Sequence, residues 1–152
     1  MSTPYRIAIL ILLAAIVATT GCSRGKRFDP PRGTKAQSVP MEITAYSDDK
    51  KSTNWKRNWR LQTVVASGPD KGKPKKVGIT ASGTKAEEGT IAADTAYYPF
   101  GTIMHVPGYG YGRVEDRGSA IKGPNRIDIF FDSRKDALEW GRRRNVGVTV
   151  WR

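Results

Sequence analysis

The chain has 152 residues, with 26 lysines and arginines against 14 aspartates and glutamates, a formal charge of +12, and a single cysteine and a single histidine. That length leaves room for one domain behind an N-terminal segment; one cysteine excludes an intramolecular disulfide, and one histidine leaves metal chemistry without a ligand set. So basic a charge would raise nucleic acid first in a cytoplasmic chain, but the N-terminus and the lack of any nucleic-acid motif argue against that partner.

Residues 1–22 have the form of an export signal. Arg6 supplies the leading charge, Ile7 to Ala18 is an unbroken apolar run, and Thr19-Thr20-Gly21 is a small stretch ahead of Cys22. A spanning helix needs roughly 20 apolar residues, so the run fits the hydrophobic region of a signal peptide; a short uncleaved anchor is the alternative. The setting of Cys22 resembles a bacterial lipoprotein box, although such boxes usually carry Leu where Thr19 stands. The resemblance implies acylation of Cys22 and a tether to a membrane, with the domain facing the periplasm or cell exterior. Ser23 is of the kind that permits outer-membrane sorting in a Gram-negative cell. Residues 23–40 are basic and polar with Pro30, Pro31, Gly33 and Pro40, and they read as a flexible tether. The domain is expected over residues 41–152.

Met41 to Ser47 alternates, with Ile43, Ala45 and Ser47 on one face and Thr44 and Tyr46 on the other, the pattern of a strand. Residues 48–58 are charged and read as an excursion loop on the rim of a site. Trp59 to Ala66 is a second strand candidate, Ser67 to Lys76 a loop, and Val77 to Thr84 a strand running into a Ser82-Gly83-Thr84 turn. Thr90 to Asp94 and Thr102 to Val106 are further short strands. Ser133 to Arg143 is the one helix: Ser133 caps it with Asp136 three residues on, Ala137, Leu138 and Trp140 give an apolar face, and Arg142 to Arg144 complement its negative end. Val146, Val148 and Val150 alternate in a closing strand. Many short strands, glycine turns and one helix predict a mainly β fold, a small β-barrel with a C-terminal helix.

The stretch from Arg113 to Asp132 carries the chemistry. A strand ending at Asp116 leads through a loop with Gly118, Gly123 and Pro124 into a second strand. There Ile127, Ile129 and Phe131 share one face, and Arg126, Asp128 and Phe130 the other. An aspartate amid β-branched and aromatic residues runs against strand propensity, and such a conflict is where function is expected. Serine or cysteine nucleophile schemes lack partners, His105 reads as a packed or surface side chain, and Asp132 as a turn or helix-start residue. No cofactor or metal is called for. Asp94, Asp116 and Asp128 each end or interrupt a strand, so a barrel can gather them at one mouth. There, like-charge repulsion and desolvation would keep one carboxyl protonated near neutrality. Phe130 would promote that shift and Arg126 oppose it. Such an acid can protonate a glycosidic oxygen; capping of turns is the other reading of strand-end aspartates.

Ile91-Ala92-Ala93-Asp94, Pro99-Phe100-Gly101-Thr102, Val114 to Gly123, Arg126-Ile127-Asp128-Ile129-Phe130 and Trp140-Gly141 together resemble the three-aspartate (3D) domain. Thr44-Ala45-Tyr46 and Ser82-Gly83-Thr84 add to the pattern. The likeness covers Met41 to Trp151 in order. This domain is related to the barrel of membrane-bound lytic transglycosylase A and to stationary-phase wall-remodelling proteins. The resemblance therefore implies a double-psi β-barrel and cleavage of the β-1,4 bond between N-acetylmuramic acid and N-acetylglucosamine in peptidoglycan, leaving 1,6-anhydro ends. It implies Asp128 as the catalytic carboxyl, Asp116 and Asp94 as its supporting aspartates, and Thr84, Tyr46 and Lys122 as substrate contacts. Two departures stand out: Asp116-Arg117-Gly118-Ser119 where the family usually has two glycines after a small or β-branched residue, and one extra residue near Pro124-Asn125.

The expected protein is thus a lipid-anchored, envelope-located lytic transglycosylase acting as a monomer in wall turnover. Its partners are peptidoglycan glycan strands and, through the anchor, a membrane, with no nucleic acid. Trp55, Trp59 and Tyr97–Tyr98 are candidates for stacking on sugars or for the core. Its basic clusters suit anionic wall polymer or lipid, or form a solvated surface. The alternatives are a non-catalytic module on the same barrel that binds peptidoglycan or anionic polymer, and a hydrolase using two carboxylates and a water.

Overall fold

A computed structural model describes residues 28–30, 32–50 and 52–151; the stretch read as an export signal and Cys22 lie outside the described residues. Among these, eight strands and one helix follow in order: β1 (Ala36–Tyr46), β2 (Trp55–Arg57), β3 (Thr63–Val65), β4 (Thr90–Ala93), β5 (Ile103–Val106), β6 (Gly110–Asp116), β7 (Arg126–Phe130), α1 (Arg134–Trp140) and β8 (Arg143–Trp151). Six of the strands close a barrel in the order β1-β7-β4-β6-β5-β8. The mainly β architecture with a single short helix is the one expected, and it is consistent with a small double-psi barrel.

β1 is long enough to serve two neighbours. Its first half pairs antiparallel with β8, from Ala36 opposite Trp151 to Met41 opposite Val146. Its second half runs parallel to β7, from Glu42 opposite Arg126 to Tyr46 opposite Phe130. The ordered strand thus starts at Ala36, ahead of Met41, because the far end of β8 takes residues 36–40 as its partner. Phe28, also in the stretch read as tether, is buried, with the Arg113 guanidinium 4.8 Å from its ring centre.

Alternation fills the barrel as the sequence implies. Ile43, Ile91, Ile127, Ile129, Val114, Val148 and Val150 are almost wholly buried in one cluster. Tyr46, Ala92 and Phe130 form a second, smaller cluster on the opposite side of the same strands. At about 25 cal/mol per Å² of apolar surface removed from water, the first cluster is the main source of stability; the second lines a site.

α1 begins at Ser133, whose Oγ accepts from the amides of Lys135 and Asp136. Ala137 and Trp140 face inward, whereas Leu138 is exposed, since one step along a helix turns a side chain about 100° from its neighbour. Arg142 and Arg144 leave the helix end and reach Glu42 at 3.1 Å each, while Arg143 lies over the Trp140 ring. These charges clasp β1 to β8 and do not serve the helix dipole.

The excursion between β1 and β4 departs furthest from expectation. Trp59 to Ala66 yields only β3, paired antiparallel with β2 in a separate two-stranded sheet. Trp59 itself lies in the turn, where Asn58 Oδ1 accepts from the amides of Arg60 and Gln62. Val77 to Thr84 is not a strand. The hydroxyls of Thr80, Ser82 and Thr84 bond one another, and the Thr84 amide donates to Thr80 Oγ1. Such local bonds compete with a ladder, and a single bridge, Ile79 to Lys85, remains.

Candidate active site

Register brings two of the three aspartates together. Ala92, in the middle of β4, lies opposite Asp128 on β7 and opposite Asp116 on β6. On the other flank of β7, Thr44 of β1 is the partner of Asp128. The pairing of Asp116 depends on a bulge. Ile91 lies opposite Val114, yet Ala92 lies opposite Asp116, so Glu115 is an extra residue in β6. In a regular strand Asp116, two residues on from Val114, would share its core face; the bulge turns the carboxyl to the Ala92 face. Bulges re-aim side chains in this way. Glu115, buried, is neutralised by the Arg113 guanidinium and accepts from Thr90 Oγ1 at 3.0 Å.

Asp116 and Asp128 open into one cavity of about 310 Å³, with Tyr46, Ala92 and Phe130 at its base and Lys75 and Lys76 from the excursion on its wall. Asp116 is held from three directions: Tyr46 Oη donates to Oδ2 at 3.1 Å, and the amides of Ala81 and Arg117 donate to Oδ1 at 2.9 Å each. The Ala81 amide is placed by the hydroxyl-rich turn, whose Ser82 amide is bonded to the Glu115 carbonyl. Burial and the Asp116 carboxylate push the Tyr46 phenol up, which keeps it a neutral donor.

Asp128 is held far less. Thr44 hydrogen-bonds its carboxyl, but Oδ1 is buried with no partner among the described residues. Burial pushes this carboxyl up to about 6; the Thr44 bond and the Arg126 charge oppose the rise, and the Asp116 charge adds to it. A carboxyl at that value exchanges its proton near neutrality. The expected opposition of burial and Arg126 is present, and burial wins.

Asp94 does not open into this cavity. It lines a second one of about 320 Å³ next door, which shares Arg117, Gly118, Ser119 and Ile121 with the first and adds Lys122. Its Oδ2 accepts from the Gly123 amide at 2.9 Å and its Oδ1 from the Ala96 amide at 3.1 Å. Those two amides, then Lys122, hold its carboxyl below the usual range. Asp94 therefore ties the loop after Asp116 to the end of β4. Gly123 makes the bond from a backbone φ of +82°, which glycine adopts without strain. The chain at Pro124-Asn125 is held by three bonds: Tyr98 Oη to the Pro124 carbonyl, Asn125 Nδ2 to the Pro40 carbonyl, and the Glu42 amide to the Asn125 carbonyl.

Of the expected substrate contacts, Tyr46 lines the first cavity, Lys122 the second, and Thr84 neither. Thr84 instead belongs to the turn that places the Ala81 amide. Trp55 and Trp59 lie outside both linings, and Tyr98 is core. Sequence reasoning missed Thr44 and the Ala81 amide. Thr44 shares its strand face with Tyr46, a signal that was available; the Ala81 amide had none, because any residue supplies an amide. No group of three metal-ligating side chains gathers among the described residues.

The site is thus a closed barrel in which two aspartates stand on the strands either side of β4. Residues 89–152 match the 3D domain family model and form a 3D domain. Among curated proteins, the chain is 35% identical over 118 residues to YabE of Bacillus subtilis (strain 168), whose name ties it to cell wall shaping. It is 40% identical over 77 residues to the cell wall-binding protein YocH of the same organism. These alignments cover 73% and 48% of this chain but only 29% and 26% of the relatives; the chain matches less than a third of either protein's length.

Proposed function

We propose that this protein acts on peptidoglycan in the cell envelope as a lytic transglycosylase, with Asp128 as its acid and base. The observation that carries the reading is the Asp128 carboxyl: the residue lines the cavity, its Oδ1 is buried without a partner among the described residues, and burial pushes the carboxyl up to about 6. A carboxyl left unsatisfied in a cavity costs stability, and such costs are retained where chemistry uses them.

In the proposed cycle, protonated Asp128 donates to the glycosidic oxygen as the bond to C1 of N-acetylmuramic acid breaks. The C6 hydroxyl of the same sugar then attacks C1, and its proton returns to the Asp128 carboxylate. One ring closes, one chain is cut, no water is consumed and the acid is regenerated. Asp116 would be a positioning and tuning residue: fixed by Tyr46 and two amides, its charge helps keep Asp128 protonated. Asp94 and Gly123 would set the loop between the two cavities, and Lys122 and Tyr46 would face the glycan. Acylation of Cys22 would hold the domain at a membrane.

The names of both relatives refer to the cell wall, which supports the substrate. The name of YocH, a cell wall-binding protein, favours a second reading in which the barrel only binds wall polymer. The two separate in one assay. Purified peptidoglycan is incubated with the full-length chain and with Asp128→Asn, and both soluble fragments and retained protein are measured. We expect the parent to release fragments, its rate falling as pH rises through about 6 and the acid deprotonates, and the variant to be retained on the wall without releasing any. Retention of both with release by neither would establish the binding reading.

A further inference from the structure

We propose that the tip of the β2–β3 hairpin docks on an anionic phospholipid surface, seating Trp59 and Leu61 among the headgroups. Trp59 and Leu61 are 84% and 74% exposed, the two most exposed of the large hydrophobic side chains. Scattered exposed apolar residues are ordinary, but these two are held out by a built turn. Asn58 Oδ1 accepts from the amides of Arg60 and Gln62, its Nδ2 donates to Gln62 Oε1 at 3.1 Å, and its backbone exchanges bonds with Gln62 and Leu61. Leu61 takes φ of +59° there, a conformation an aliphatic residue rarely adopts. The turn satisfies its own polar groups and leaves the two apolar side chains facing away.

Charge selects the occupant. From Asn54 to Lys76 the chain carries Lys56, Arg57, Arg60, Lys71, Lys73, Lys75 and Lys76 against one acid, Asp70, and Asp70 is paired with Lys73. The segment from Lys73 to Lys75 bonds along β3, which brings those lysines to the same small sheet as Lys56 and Arg57. Basic residues around an apolar wedge suit an anionic bilayer, where each cation near the surface adds attraction and tryptophan prefers the headgroup level. The Arg60 guanidinium lies 4.5 Å from the centre of the Trp59 ring and covers one of its faces. Insertion among headgroups uses the ring's edge and leaves Arg60 beside the phosphates. Neither Trp59 nor Leu61 lines the cavities of the candidate site, so docking at this tip does not depend on the proposed reaction.

The test uses the full-length chain and its Trp59→Phe variant, mixed with phosphatidylglycerol–phosphatidylcholine vesicles whose acyl chains carry bromine near the headgroup. The emission present in the parent and missing from the variant belongs to Trp59, whatever the rest of the chain does at the vesicle. We expect that component to be quenched and blue-shifted, with the quenching lost in pure phosphatidylcholine vesicles and in a Lys56→Gln, Arg57→Gln, Arg60→Gln chain. Equal quenching in parent and Trp59→Phe overturns the proposal, as does a Trp59 component that responds to purified peptidoglycan but not to the vesicles. Because both tip residues are exposed, matching circular dichroism spectra are expected for all three chains.

Discussion

Ionising Asp128 costs the folded chain more than the unfolded one, because only the folded chain holds that carboxyl away from water and beside Asp116. Its folded value of about 6 lies above the ordinary 3.8. The sign follows: well below 4 the group is protonated in both states and costs nothing, between about 4 and 6 the folded state progressively loses stability, and past 6 the loss levels off. Asp128→Asn removes the ionisation. At pH 8 the variant is therefore expected to be more stable than the parent by on the order of 2 kcal/mol, and at pH 4 by much less. Thermal or urea unfolding at the two pH values checks this, and an equal effect at both would contradict it. A second change separates support from chemistry. Tyr46→Phe deletes one of the three donors to Asp116, and it is expected to cost about 1 kcal/mol of stability while lowering the release of fragments from peptidoglycan well below the parent rate.

The strands hold these residues through a few contacts between elements. The Tyr109 phenol donates to the Phe130 carbonyl and accepts from the Gly89 amide, both at 2.7 Å. It thus ties the start of β4 to the end of β7, the strand that carries Asp128. Tyr109→Phe leaves both backbone groups without that partner and is expected to cost about 1–3 kcal/mol in urea unfolding. Gly112 offers a harsher case. A Cβ there would stand 2.7 Å from the Gly89 carbonyl oxygen and 2.8 Å from Ile91 Cδ1, so Gly112→Ala should destabilise by about 1–3 kcal/mol or more. At this scale the legibility of the sequence was uneven for physical reasons. β7 could be read because alternation writes both of its faces into consecutive residues, the core face of Ile127 and Ile129 and the site face of Asp128 and Phe130. The bulge at Glu115 could not, since it is a property of register between β4 and β6 and not of either strand alone. Val77 to Thr84 misled because threonine favours strands as readily as the local hydroxyl bonds it makes here. Asp94 looked equivalent to Asp116 and Asp128 as a strand-end aspartate, but the amides of Ala96 and Gly123 claim its oxygens.

The molecule as a whole is larger than the segment that matches the family. Residues 89–152 supply β4 to β8 and α1, whereas β1 lies outside the match, closes the barrel between β7 and β8, and brings Thr44 and Tyr46 to the site. A chain reduced to residues 89–152 is therefore expected to lack cooperative unfolding, and one that unfolds sharply would contradict the role given to β1. The net charge of +12 acts at longer range. Retention on anionic envelope polymer should fall steeply as salt rises past the range where surface charges are screened, at Debye lengths of about 10 Å near 0.1 M, while unfolding of the barrel shifts little.

The ends of the cut glycan record which nucleophile attacked. Mass spectrometry of the fragments released from purified peptidoglycan by the full-length chain, beside Asp128→Asn, reads those ends. An intramolecular attack predicts muramic acid ends lighter by one water than reducing ends, formed by the parent and absent with the variant. Reducing ends from the parent, or anhydro ends persisting with Asp128→Asn, would contradict the account.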